Sequence, residues 1–268
     1  MRLRLRGLTN GPRAAAGFTL IELVIVIVLL SILALGTTRY IIRSVEQYTV
    51  SADRTRLIAE GRVALEKVVR RLRNALPNSI RVSASGRCIE YFPVLTAAST
   101  VGTIAVPTST LTTSNFTLSS APANYAVIAT LTAAEVYAGG SPGVRAQTSI
   151  AASGSYSSIG LTAAHAFVRT SPTERVYLVS DPERLCVSAA GALNHYRSYG
   201  ILAAINDIPP GGTSALIAAN IDLSGSLIPF LYTPGTMVRN ALVEITLNFI
   251  KNNDPVRMTH KVQIRNVP

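Results

Sequence analysis

This chain of 268 residues lacks most of the patterns that announce chemistry. It contains no CxxC pair and no HExxH, and its histidines, His165, His195 and His260, stand isolated, so neither a metal nor a cofactor is expected. No Gly-rich phosphate loop is present either. One GxSxG string occurs, Gly139-Gly140-Ser141-Pro142-Gly143. A nucleophile elbow needs a strand before that string and a helix after it, yet Val144 to Thr148 shows no helical stripe and Pro142 restricts the turn. The chain therefore does not read as an enzyme, and no small-molecule substrate is expected. His260 falls on the apolar face of a strand pattern, where a hydrogen-bonded core histidine is expected rather than a ligand.

Cysteine and lysine are scarce. Cys88 and Cys186 are the two thiols, and an even count fits a disulfide in an oxidising compartment. Closing a loop of about 100 residues contributes roughly 4–5 kcal/mol on the chain-entropy model. Among 25 basic residues only Lys67, Lys251 and Lys261 are lysine, a bias that reflects coding composition rather than a ligand. Formal charge is +11, but Arg2, Arg4, Arg6 and Arg13 precede Gly17, so the side chains from Phe18 onward carry +11 − 4 = +7.

Proline is absent from Phe18 to Leu76, and that stretch opens on the chain's longest apolar run. Phe18 to Leu35 holds 18 residues, 14 of them Leu, Ile, Val or Phe. As a helix it would rise roughly 27 Å, close to the hydrocarbon thickness of a bilayer. Those residues favour insertion by about 4–8 kcal/mol in total, against about 3 for a carboxylate at mid-helix and less near an end, where Glu22 sits. The run is too long for an ordinary secretory signal, and no small-residue cleavage site follows it. Four arginines before the span, against Arg39 and Arg43 offset by Glu46 after it, favour a cytoplasmic leader and a periplasmic remainder.

An acid inside such a span marks a functional site by default. Were the chain cut between Gly17 and Phe18, the new α-amino group, with an ordinary pKa of about 7.7–8, would be largely cationic one helical turn from Glu22. Glu22 could neutralise that terminus or a neighbouring copy's; alternatively it complements the positive end of the helix dipole. The string Gly17-Phe18-Thr19-Leu20-Ile21-Glu22 resembles the processing signature of class III signal peptides, carried by type IV pilins and type II secretion pseudopilins. The resemblance implies cleavage after Gly17 by a prepilin peptidase, N-methylation of Phe18 and a role for Glu22 in assembly. It covers the first fifth of the chain.

The expected organisation follows: a cleaved leader over residues 1–17, a membrane span over 18–35, an amphipathic periplasmic helix over 36–76, and a β-rich head over 77–268. Beyond the span the apolar positions Ile58, Leu65, Val69, Leu72 and Leu76 form a stripe, while Arg54, Arg56, Arg62, Lys67, Arg70, Arg71 and Arg73 lie opposite. That basic side reads as a solvated face, with a patch for nucleic acid as the minority reading. Residues about 96–164, rich in Ala, Ser, Thr and Gly, read as loops and edge strands inserted into the sheet. Ala166–Arg169, Arg175–Val179, Leu185–Val187 and His195–Tyr199 have the spacing of an antiparallel meander, and Leu216–Ile221 returns to the sheet. The clearest strands come last: Ala241, Val243, Ile245, Leu247 and Phe249 alternate, as do Val256, Met258, His260, Val262 and Ile264, around Asn252-Asn253-Asp254-Pro255. This hairpin should cover the helix.

Three patches, Arg71-Leu72-Arg73-Asn74-Ala75-Leu76-Pro77-Asn78-Ser79, Arg175-Val176-Tyr177-Leu178-Val179-Ser180 with Cys186, and Val262-Gln263-Ile264-Arg265-Asn266-Val267-Pro268, resemble the MSHA-pilus biogenesis protein O family. The fold expected is α+β, type IV pilin-like: a long membrane-spanning α-helix packed on an antiparallel β-sheet head. The function implied is a minor pilin in the inner membrane and then the fibre, whose partners are other minor and major pilins, the prepilin peptidase and the assembly platform. Rivals are a J-type minor pseudopilin of type II secretion and a pilus-tip module binding DNA or a surface.

Overall fold

Helix α1 runs Leu20–Arg73. In the computed structural model the described residues are 17–102, 104, 106–120, 122–236 and 239–265. The leader residues 1–16, with their four arginines, and the closing residues 266–268 lie outside them. Two compact units divide the chain, Met1–Ala52 and Asp53–Pro268. After α1 come β1 Arg81–Val82, β2 Cys88–Tyr91, β3 Val94–Ser99, β4 Thr108–Leu118, β5 Tyr125–Ile128, α2 Ala133–Ala138, β6 Arg145–Gln147 and β7 Gly154–His165. Then follow β8 Arg175–Val179, β9 Glu183–Val187, β10 Leu193–Arg197, β11 Thr213–Ala218, β12 Phe230–Thr233, β13 Ala241–Lys251 and β14 Asp254–Ile264. The fold is α+β, and its sheets are antiparallel throughout.

Helix α1 ends where its carbonyls find other partners. The Asn74 and Ala75 amides tighten the last turn onto Arg71 and Leu72 carbonyls at 3.1 Å. Asn74 then exchanges backbone and side-chain bonds with Val94, at 2.9 and 2.7 Å, and the Leu76 amide donates to the Phe92 carbonyl at 2.8 Å. Arg70, Arg71 and Arg73 in the last turn complement the negative end of the helix dipole.

Four sheets follow, with strand orders β1-β2-β9-β10-β11, β12-β13-β14, β3-β8-β5-β6 and β4-β7. The larger core joins α1 to the first two, through Leu57, Ala64, Val68 and Leu72 on the helix and Val243, Ile245, Leu247, Phe249 and Val262 on the terminal hairpin. The buried stripe of α1 is therefore Leu57, Gly61, Ala64, Val68, Val69 and Leu72, while Ile58 and Leu65 are half-buried at its flank. Of the expected stripe, Val69, Leu72 and Leu76 are buried, whereas Ile58 and Leu65 give way to Leu57, Gly61 and Ala64, because the closest approach to the hairpin is made by small residues that a count of large apolar side chains passes over. A Cβ on Gly61 would stand 2.6 Å from Met258 Sδ and 2.9 Å from Phe249 Cε2. The register of the hairpin is fixed by a two-residue turn, Asn252-Asn253, both at positive φ. Its tip is held by α1: Asp53 accepts from Lys251 at 2.6 Å and from Asn252 at 2.9 Å, and Arg54 pairs with Asp254 at 2.6 Å. His260 corrects the expectation of a core histidine, since it is exposed although its strand neighbour Val262 is buried.

Residues 94–165 are richer in strands than their composition suggests. With β8 they build a second core of Leu111, Phe116, Leu118, Ile128, Ile159, Leu161, Val176 and Leu178. Its signal is weak because the other face of β4 and β7 is Ser and Thr, and because register shifts at Thr108/Thr110 and Thr112/Phe116 break the alternation. The expected meander also divides: β8 pairs with β3 and β5, whereas β9 pairs with β2 and β10. Ala166–Arg169 is not a strand and contributes a single bridge, Phe167 to Gly143.

Cys88 and Cys186 are disulfide-bonded, 98 residues apart in sequence and directly opposite one another across β2 and β9. Thiol titration of the denatured, unreduced chain should find no free thiol, and reduction should cost about 2–5 kcal/mol of stability. Gly61→Val should destabilise by about 1–3 kcal/mol in chemical denaturation, because Phe249 is buried and cannot yield. Gly36→Ala, with nothing within 4 Å, should not.

Candidate functional site

The amino-terminal unit presents Gly17 and Phe18 immediately ahead of α1, and every residue from 17 to 52 is exposed within it. Thr19 caps the helix. Its Oγ1 accepts from the Glu22 amide at 3.3 Å, and its carbonyl accepts from the Leu23 amide at 3.2 Å. Thr19-Leu20-Ile21-Glu22 thus has the spacing of a capping box, Thr at N-cap and Glu three residues on. Glu22 lies in the first turn, where an acid complements the helix dipole. Further along, Ser31 donates to the Ile27 carbonyl at 2.6 Å, Thr37 to Leu33 at 2.9 Å and Thr38 to Ala34 at 2.7 Å. These hydroxyls carry their own acceptors within the helix, so Ser31 would bring no unpaired donor into a bilayer. Helix α1 is long and apolar enough to cross a membrane.

The family model for the prokaryotic N-terminal methylation motif matches residues 12–38. The chain carries a type IV pilin-type amino terminus. The match supports a pilin-like or pseudopilin-like subunit, and it fits membrane anchoring by the apolar helix. No curated protein and no solved structure matches the chain.

In the second unit the residues between β9 and β11 are organised by charge. Arg81, Glu90 and Arg184 stand in register across β1, β2 and β9. Glu90 is fully buried and accepts from Arg81 Nε at 2.5 Å, Arg184 Nε at 3.0 Å, Arg184 Nη2 at 2.9 Å and the Tyr199 hydroxyl at 2.7 Å. The remaining guanidinium nitrogens donate to the Leu202, Ala203 and Ile208 carbonyls, which pins the strandless stretch after β10 onto the sheet. Burial, then the Glu90 charge, pushes the Tyr199 hydroxyl far above its ordinary pKa, so it stays a donor.

On the helix-facing side of the same sheet, Glu183 accepts from His195 Nε2 at 2.8 Å and from the Tyr91 hydroxyl at 3.0 Å. Burial pushes the Glu183 carboxyl up, but the His195 hydrogen bond and charge, with Tyr91 and Arg71, outweigh it and hold the pKa below the usual value. Sequence reasoning missed both clusters.

The basic face of α1 does not form one patch. Arg54 pairs with Asp254, Arg56 with Glu60, and Arg71 is half-buried near Glu183. Arg62, Lys67, Arg70 and Arg73 remain exposed. The GxSxG string has helix α2 before it and strand β6 after it, the reverse of a nucleophile elbow. Ser141 Oγ accepts from the Ala166 amide at 3.2 Å, and His165 Nε2 lies 3.2 Å from the Gly143 carbonyl oxygen.

Acid should weaken the head. The carboxyls with lowered folded-state pKa values include Glu183 and also Glu135, whose Arg169 hydrogen bond leads, against desolvation. Their stabilisation is complete above the unfolded carboxylate pKa of about 4.3 and is lost as pH falls through the lower folded values. Denaturation series from pH 6 downward should show this loss, and Glu183→Gln should flatten part of it.

Proposed function

We propose that the chain is a minor pilin of a type IV pilus of the MSHA kind, priming or supporting assembly of the fibre. The observation that carries this reading is the methylation motif over residues 12–38, continuous with an apolar helix exposed from its first turn. In this reading a prepilin peptidase cleaves after Gly17, Phe18 is N-methylated, and the span sits in the inner membrane with its leader cytoplasmic and its head periplasmic. Major and other minor pilins then pack against the helix as the assembly platform lifts each subunit from the bilayer. Once in the fibre, the charge on Glu22 offsets the cationic amino terminus of an adjacent subunit, a pairing strengthened by the low dielectric of packed apolar helices.

The resemblance of the helix junction, the β8 region and the terminus to the protein O family supports the MSHA assignment over its pseudopilin rival. Peptide mapping of the functional form should find methylated Phe18 at the amino terminus; retention of Met1 would overturn the proposal. Glu22 variants separate charge from capping, because glutamine completes a capping box as glutamate does but carries no charge. Both Glu22→Ala and Glu22→Gln should enter the membrane normally and be incorporated several-fold less. Normal incorporation of Glu22→Gln would reduce Glu22 to a helix cap.

A further inference from the structure

Between Tyr91 and Val168 the sequence has two charged residues, Glu135 and Arg145. Glu135 is gripped by both terminal nitrogens of Arg169, at 2.9 and 3.0 Å. Arg145, at the start of β6, has no carboxylate at ion-pair distance among the described residues. Its Nε donates to the Val136 carbonyl at 2.6 Å, and its guanidinium lies over the Tyr125 ring, 4.6 Å from the centroid. Asp181 acts on it as a charge without bonding it, and burial lowers its pKa. The side chain is thus anchored through one nitrogen and one face, which leaves the terminal nitrogens without an acceptor.

Arg145 lines a cavity of about 350 Å³ with Gly140, Ser141, Gln147, Thr162 and His165, and no acidic residue among the described ones takes part in its wall. Gly139, at positive φ, lets the guanidinium lie against the loop: a Cβ there would fall 2.6 Å from Arg145 Nη2. Ser141 Oγ accepts from the Ala166 amide, so its own proton is free to donate. His165 directs Nε2 to the Gly143 carbonyl.

We propose that this cavity binds a carboxylate, with the two terminal nitrogens of Arg145 taking its oxygens as a fork and the Ser141 hydroxyl donating to one of them. A planar fork with one cation matches a single carboxylate group, planar and carrying one charge, in shape and charge; a dianionic phosphate group would leave charge unmatched. The carboxylate can come from a small acid or from a uronic-acid polymer. A cavity of this size accepts a single carboxylate-bearing unit of either.

Isothermal titration of the full-length chain in detergent micelles, with glutarate, trigalacturonate and inorganic phosphate in turn, tests this. Saturable heat from a carboxylate is expected. Glutarate alone would assign a small acid and trigalacturonate alone an acidic polysaccharide, and either supports the site. Arg145→Lys, which keeps the cation but not the fork, should weaken binding by roughly tenfold or more. Ser141→Ala leaves the Arg145 anchors in place, tests the site should Arg145→Lys fail to fold, and should weaken binding several-fold. The proposal is overturned by no saturable heat from either carboxylate, by phosphate binding as tightly, or by wild-type affinity in Ser141→Ala.

Discussion

The contact of Gly61 with Met258 and Phe249 fixes how α1 lies on the terminal hairpin, and the larger core is built outward from it. A helix and a sheet that meet through Gly61 and Ala64 bring their backbones close. The large side chains on either side, Leu57, Val68 and Leu72, then reach the inner faces of β13 and β14. Asp53 and Arg54 hold the hairpin tip one turn earlier, through surface ion pairs that are individually weak, worth about 0–1 kcal/mol each. Their contribution is alignment: the tip cannot slide along the helix without breaking both.

Whatever depended on periodicity in long elements was legible in the sequence. The proline-free apolar run reads as α1, and the alternation from Ala241 to Ile264 reads as a hairpin. What escaped has physical reasons. The first two positions of the α1 stripe, Ile58 and Leu65, missed because glycine and alanine pack by being small, which a count of bulky residues ignores. The second core was hidden because strands with one Ser/Thr face and shifted register carry little moment. The Glu90 row was legible in principle: Cys88-Ile89-Glu90 and Arg184-Leu185-Cys186 mirror one another. Once the cysteines face each other on antiparallel strands, Glu90 must face Arg184. That arithmetic needs the bridge to be a cross-strand one, and two cysteines far apart in sequence do not say so.

Charge is distributed unevenly between the two cores, and each part uses it differently. Around the larger core, ions are bonded in register and organise chain that has no regular structure, as Arg81 and Arg184 do for the stretch after β10. Burying such groups is costly unless every donor has an acceptor, and the carbonyls of Leu202, Ala203 and Ile208 supply those. The second core has almost no ions. Its surfaces are hydroxyl and amide, which keeps it wet without committing it to a sign of charge.

The bridge between Cys88 and Cys186 joins the strand by which the chain leaves the larger core to the strand by which it returns. Everything from Ile89 to Leu185 is therefore an excursion that starts and finishes at one place, locked by a covalent bond. The end of α1 also grips the start of that excursion directly, through Asn74 with Val94 and Leu76 with Phe92. A pull along α1 would therefore divide between the helix–hairpin interface and this junction, and the covalent bond keeps the two ends of the excursion from parting whichever yields first.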